Sequence, residues 1–331
     1  MTGAPLRTAW ISSLEDGAAP DAAALREHLR AVHHNHAGFT ETCAMRCCDT
    51  EGRNTYAWLA EAVAADRHRV VLDVACGSGP LLRLCHNTLP ADVRLIGIDM
   101  SPDELALAHD RMPKGWAELV QAQAQQLDFL ADNSVDVALC HWALTLMDPV
   151  MPVLTEMARL IAPGGRFAAL VDGPMEAAPG YAQVHDLIYS HVQAVLPDYG
   201  RVDLGDPRVR TADSLVELVK EAFPSASVRV ETQVVRMSGP ADTLAAEAAG
   251  FFYAAFVLSP SARLRMLTDL ADLLGKISLD PVPTFAMPVN RIVVDLPHGR
   301  KTEPATDDTV GIVQSARGYR SHPKKLDNKL T

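Results

Sequence analysis

Apolar residues recur at helical spacing in the first part of the chain and then give way to short apolar runs. Behind Asp21, the residues Ala22, Leu25, Leu29 and Val32 fall on one side of a helix, with the aspartate placed to cap it. Tyr56, Leu59, Ala60 and Val63 predict a second helix over about 54–65. After the charged break ADRHR come VVLDVA, RLIGID, SVDVALC and GRFAALVD, separated by the helical stretches PLLRLCHNTL, PDELALAHDRM and VMPVLTEMARLI. Alternation of this kind specifies an α/β fold with a parallel sheet covered by helices.

Beyond Asp172 the order loosens. Helices are expected near 181–196 and 212–222, then a strand SVRVETQVVRM, two helices between about 241 and 274, and a last strand RIVVDL. The last two strands are expected to pair, with the helical pair inserted between them. From about His298 the chain is polar, contains proline and lacks periodicity, which predicts a loose tail. The pattern divides into an N-terminal helical cap over 1–66, a core over 67–298 with helical lid insertions near 174–200 and 241–275, and a tail over 299–331.

Composition narrows the partners. The chain has 331 residues and a formal net charge of −11, which disfavours a phosphate backbone, so nucleic acid is not an expected partner. No apolar run approaches the ~18 residues that cross a membrane, and no secretory signal is evident, so a cytoplasmic protein without membrane association is expected. In that compartment the six cysteines are expected to be free thiols.

The stretch VLDVACGSG, Val71 to Gly79, sets a strand, a tight turn of small residues and a helix start at Pro80 in succession. Such a turn lets a ligand approach the backbone, and the helix start offers free N–H groups. The third glycine of a dinucleotide fingerprint is absent, because Leu82 stands there. Instead Asp73 lies inside the first strand and Asp99 ends the second, in GIDMS. A carboxylate at the second position can accept both ribose hydroxyl protons, and a buried strand aspartate can face an ammonium or order the turn. Together they suit a nucleoside bearing an amino acid.

VLDVACGSG, GIDMS, QAQQLDFLADNSVDVAL and RLIAPGGRF, in this order, resemble the successive motifs of class I S-adenosylmethionine-dependent methyltransferases, on the side of the ubiquinone/menaquinone-type branch. The resemblance covers about a third of the chain and implies a Rossmann-like, seven-stranded, mostly parallel sheet. It also implies S-adenosyl-L-methionine as cofactor. The backbone of Ala75, Cys76, Gly77 and Gly79 would hold its methionine end, Asp99 the ribose hydroxyls, and Met100 the adenine. Gln123, beside Ala124, aligns with the acidic residue that reads the adenine amino group. Ala75 replaces the first glycine of the family's turn.

The acceptor is expected to be a small, partly apolar metabolite, methylated on O, N or C, with a homodimer left open. CHWALTLM stands where enzymes acting on base amino groups carry an Asn/Asp-Pro-Pro-aromatic motif. Asp148 and Asp172 fall near strand ends but lack the Asp-Asn pair of metal-dependent catechol enzymes, so no metal is expected. His141, at the end of the fourth strand, is the first candidate base; His185 and Tyr189, and an apolar lid with Phe251, Phe252, Phe256 and Leu258, are further candidates for contact with the acceptor.

The cluster HHNHAGFTETCAMRCC lacks zinc-ligand spacing, and its cysteines adjoin rather than converge as an arsenite site would require. As part of a cap, Arg46 would pair with the methionine carboxylate, Tyr56 would contact the cofactor, and His33 or His36 would serve as base, with His36 in a loop. Two other readings remain at this stage: a protein that binds the cofactor but steers a rearrangement or cyclisation, and a nonenzymatic binding module.

Overall fold

Four helices precede the first strand in a computed structural model that describes residues 6–298 apart from 203, 279 and 280. They are α1 (Ala9–Glu15), α2 (Ala22–His36), α3 (Glu41–Arg46) and α4 (Thr55–Ala60). The alternating part follows as β1 (Val70–Val74), α5 (Pro80–Thr88), β2 (Arg94–Asp99), α6 (Pro102–Arg111), β3 (Glu118–Gln121), β4 (Val135–His141), α7 (Met151–Leu160) and β5 (Ile161–Asp172). The remainder comprises α8 (Tyr181–Gln193), α9 (Ala212–Ala222), β6 (Ser227–Ser238), α10 (Ala241–Phe251), α11 (Pro260–Ile277) and β7 (Thr284–Asp295). The tail expected from 299 lies outside the described residues.

The sheet has the order β3-β2-β1-β4-β5-β7-β6. Its first five strands are parallel, and β7 runs antiparallel to both β5 and β6. The expected pairing of the last two strands is present from Ser227↔Asp295 to Ser238↔Thr284, with α10 and α11 inserted between them. Side chains alternate between two apolar clusters: Val71, Val137 and Leu139 join the N-terminal helices, α8, α10 and α11, while Leu72, Val74, Ala138 and Cys140 face α7 and α9. No helix among the described residues is long and apolar enough to cross a membrane.

The N-terminal segment is more helical than its pattern indicates. Thr8 caps α1, whose Trp10, Ile11 and Leu14 are buried, but seven residues are too few to display a period. The helix α2 continues through His36, correcting its placement in a loop. Asn35 turns its amide onto the Ala31 carbonyl of its own helix at 2.7 Å, and the chain turns only at Gly38, with φ +73°. The edge strand β3 is half-exposed, so it shows too little apolar contrast to be read from sequence.

Buried aromatic and ionic contacts fasten these helices to the sheet. Trp58 and Leu59 of α4 are almost fully buried, each contributing about 1.5–3 kcal/mol. The Arg291 guanidinium of β7 lies 4.6 Å over the Trp58 ring and pairs with Glu231 and Glu61. Arg166 of β5 donates to the Ala62 carbonyl at 2.8 Å and to Asp295 at 2.6 Å.

His28 of α2 is buried against Trp10, ring centroids 4.8 Å apart, with Nδ1 3.0 Å from the Thr8 hydroxyl and Nε2 without a partner. Burial lowers it to about 4. The unfolded chain therefore takes up a proton below about pH 6.5 that the folded chain refuses. This stabilising contribution is complete above the unfolded value and is lost as pH falls toward 4, at about 1.4 kcal/mol per pH unit. His28→Phe should remove that much of the slope of unfolding free energy between pH 6 and 4.5, measured by denaturant melts; an unchanged slope contradicts the assignment.

Candidate cofactor and acceptor site

Strand alternation decides which side chains reach the carboxyl end of the sheet beneath the cap. Asp73 shares the face of Val71 in β1, and His141 that of Val137 and Leu139 in β4. Both open into a cavity of about 400 Å³. It lies where open α/β sheets bind ligands, outside the carboxyl ends of the strands.

The β1–α5 turn is held by its backbone. Ala75, Gly77 and Gly79 have φ of 56°, 53° and 80°. The Cys76 N–H donates to the Ile98 carbonyl at 2.8 Å, and the Gly77 N–H to Asp99 Oδ2 at 2.9 Å, which stitches the turn to the end of β2. Gly97, within β2, was not singled out from sequence. A Cβ there would meet Leu82 Cδ1 at 2.5 Å and Cys76 Sγ at 2.9 Å, so the close packing that a third turn glycine would allow comes from the strand beside it. Its signal was a lone glycine inside an apolar strand.

Three carboxylates surround this turn. Asp99 accepts from Gly77 N and, through Oδ1, from Ser101 N at 2.8 Å. Burial raises its pKa, while those two N–H groups and His33 pull it down and Glu104 adds to the rise. Asp73 is buried with no partner on either oxygen, and burial followed by the charge of Asp99 pushes it well above the carboxylate range. Glu104 of α6 is also buried; its Oε1 accepts from Gly38 N at 2.8 Å and from His33 Nδ1 at 2.6 Å, whereas its Oε2 has no partner.

Because a carboxylate oxygen accepts, His33 carries its proton on Nδ1. Its Nε2 then accepts from the Tyr253 hydroxyl at 2.8 Å. A second clasp joins α3 to the turn: Ser78 Oγ donates to Glu41 at 2.9 Å, and Arg111 reaches both. Glu41, Glu104, Arg111 and Tyr253 were invisible to motif reasoning, because each matters through a partner far away in sequence.

At the acceptor end, the His141 ring stacks on Tyr56 at 3.9 Å, and its Nε2 meets Thr55 Oγ1 at 2.9 Å. Burial lowers His141 to about 3, so it is neutral throughout the physiological range. Trp142 follows with φ 57°, a strained value for a bulky residue, and its indole N–H donates to Asp172 at 3.0 Å. Asp172 is also paired with Arg210 at 3.1 Å. Tyr181, Phe251 and Phe252 complete an aromatic wall, and the stacked pair His185 and Tyr189 also lines the cavity.

Of the residues singled out from sequence, Asp73, Ala75, Cys76, Gly77, Asp99, Met100, Gln123, Ala124, Tyr56, His141 and His33 are brought to one cavity. Gly79 does not line it but starts α5, where a Cβ would strike Met112 Cε at 2.8 Å. Arg46 stands outside: its guanidinium is taken by Glu247 and by the Ser238 carbonyl at 3.0 Å, which joins α3 to α10 and β6. His36 is also outside, its ring tilted against Phe256 at 4.6 Å and its pKa lowered by burial and by Arg263. Phe256 and Leu258 are packed into the core. Cys43 and Cys47 are buried with sulfurs 3.8 Å apart, away from the cavity.

Residues 72–169 match the methyltransferase domain family. This stretch is a methyltransferase domain. The chain is 33% identical over 120 residues to the demethylmenaquinone methyltransferase of Symbiobacterium thermophilum, covering 34% of this chain and 47% of that protein. It is 31% identical over 161 residues to the ubiquinone/menaquinone biosynthesis C-methyltransferase of Nitrobacter hamburgensis, covering 46% and 59%. The chain thus spans about half the length of the curated relatives it matches. Among solved structures, the [4+2]-cyclase SpnF aligns with a TM-score of 0.52 at 16% identity, covering 85% of this chain and 98% of that one; this is a likeness of fold.

In this methyltransferase domain, Ala75 holds a conformation that costs a non-glycine residue about 1–2 kcal/mol, partly offset by alanine's stiffer unfolded chain. Ala75→Gly should raise the unfolding free energy by up to about 1 kcal/mol. A loss of stability in denaturant melts would show that the alanine methyl contributes packing that outweighs the strain.

Proposed function

We propose that this chain transfers a methyl group from S-adenosylmethionine to a small, partly apolar acceptor of the quinol or phenol type. The observation that carries the reading is Asp73, a buried carboxylate with both oxygens unpartnered at the floor of the cavity. Such a group requires a cation or strong donors. The residues present fit the cofactor: Asp73 suits its ammonium, Asp99 its ribose diol, and Met100, Gln123 and Ala124 its adenine. The quinone-linked names of the relatives and the aromatic wall at the far end support a planar, partly apolar acceptor.

When bound, S-adenosylmethionine supplies an electrophilic methyl on a sulfonium, so the protein must provide a seat, in-line approach and a path for the acceptor's proton. The cap and the aromatic wall exclude water. His141, at about 3, is a poor proton acceptor but a good hydrogen-bond partner, and it orients the acceptor hydroxyl. His33 is the better base. The acceptor's proton passes to the Tyr253 oxygen as the Tyr253 proton moves to His33 Nε2, and Glu104 stabilises the imidazolium. The acceptor so deprotonated would be the nucleophile toward the methyl, whose bond to sulfur would break with its electron pair left on sulfur, giving S-adenosylhomocysteine.

Calorimetry with S-adenosylmethionine and S-adenosylhomocysteine should show binding that Asp99→Ala weakens at least tenfold, on the order of 1.4 kcal/mol or more. Tritiated methyl transfer should then appear with demethylated quinols or substituted phenols. Binding without transfer to any of them would favour a rearrangement or cyclisation, and absent binding defeats the reading.

Asp73 also gives a proton linkage. Burial and the charge of Asp99 raise its pKa and so favour the protonated form, whereas a cation beside it favours the ionised form. Binding should therefore release protons, and its enthalpy should differ between phosphate and Tris buffers at one pH. Equal enthalpies, corrected for dilution, would show that Asp73 does not change protonation.

A further inference from the structure

Glu104 has a place in the site that the motifs do not assign. Its side chain is buried to 2% exposure, yet Oε2 has no partner and lies beside Gly77, 3.7 Å from where a Cβ on that glycine would stand. Gly77 is also the residue whose N–H binds Asp99, and Glu104 acts on the charge of Asp99 but is not among the groups that shift Asp73. The free oxygen therefore belongs to the Asp99 end of the cavity. Each Asp99 oxygen already accepts one N–H, whereas a ribose diol brings two O–H donors.

We propose that Glu104 is a second ribose-binding carboxylate, which ties the cap and the lid to the bound nucleoside. The proposal rests on the methyl-donor reading above. Oε2 accepts from the diol beside Asp99. Oε1 holds the cap through the Gly38 N–H and His33 Nδ1, and His33 in turn holds Tyr253, which follows α10. One side chain thus contacts the nucleoside on one oxygen and the closing elements on the other. An occupied cofactor seat steadies the segment around Gly38, and that segment forms part of the wall of the acceptor cavity.

Glu104→Gln keeps the shape but turns one acceptor into a donor. Calorimetry on the full chain would use S-adenosylhomocysteine, 5′-methylthioadenosine and the 2′,3′-dideoxy form of the latter. Glu104→Gln should weaken the first two by a similar factor, at least tenfold, and should leave the affinity for the dideoxy compound within about twofold of wild type. Asp103→Asn, at a half-exposed neighbour paired with His34, serves as control. Equal affinity of wild type and Glu104→Gln for the diol ligands overturns the proposal, as does an undiminished penalty on the dideoxy compound. Wild-type protein that binds none of the adenosyl ligands overturns both this inference and the reading beneath it. Should Glu104→Gln fold poorly, hydrogen exchange in the wild type decides: S-adenosylhomocysteine should slow exchange of the segment spanning Gly38 at least tenfold, and unchanged exchange there counts against the latch.

Discussion

Asp99 ends β2 by accepting one N–H from Gly77 and one from Ser101, and both neighbouring structures depend on that division. The first bond fixes the β1–α5 turn in its left-handed conformations, so that Ala75, Cys76 and Gly77 line the cavity. The second helps to set the start of α6, where the Ser101 hydroxyl caps the helix and brings Glu104 round to Gly77. A buried carboxylate with two backbone donors is well solvated by the protein, yet it retains lone pairs for a ligand. The same group therefore shapes the seat and remains available to what sits in it.

The charge balance of the cavity follows from this frame. Asp73, Asp99 and Glu104 surround one turn, and Asp73 has no cation beside it. Such an arrangement is costly when empty and favourable when a cation and several O–H donors arrive, because the desolvation has already been met in folding. The acceptor end is treated differently. There Asp172 is neutralised by Arg210 and by the Trp142 indole N–H, and His141 is held neutral by burial. The cavity thus grades from an acidic turn to a neutral aromatic wall, as the proposed charged donor and apolar acceptor would require.

The core of the fold was legible because its signals are local. Alternating apolar runs show the strands, and Asp73, Asp99 and the turn at Gly77 sit at strand ends that any parallel sheet turns toward ligand. The short helices α1 and α3 and the edge strand β3 were not legible, since seven, six and four residues hold too little pattern. Arg46 shows the limit for side chains. Its cationic head suited a carboxylate ligand, but Glu247, 201 positions away, takes it, and no local pattern reports such a partner.

His33 and His36 make the same point from one helix. Three positions apart, they differ by about 60° around the helix axis and about 4.5 Å along it, enough for one ring to meet Glu104 and the other Phe256. Their roles diverge through contacts with α6 and with the segment after α10, not through composition. The rings of the histidine-rich stretch therefore diverge to separate partners instead of converging on one point. One histidine is placed between a carboxylate and a phenol at the edge of the cavity, and the others pack against aromatic or acidic neighbours. What distinguishes His33 is that its carboxylate partner has a second oxygen left over, so that the proposed nucleoside seat and the proposed base would be joined through one side chain.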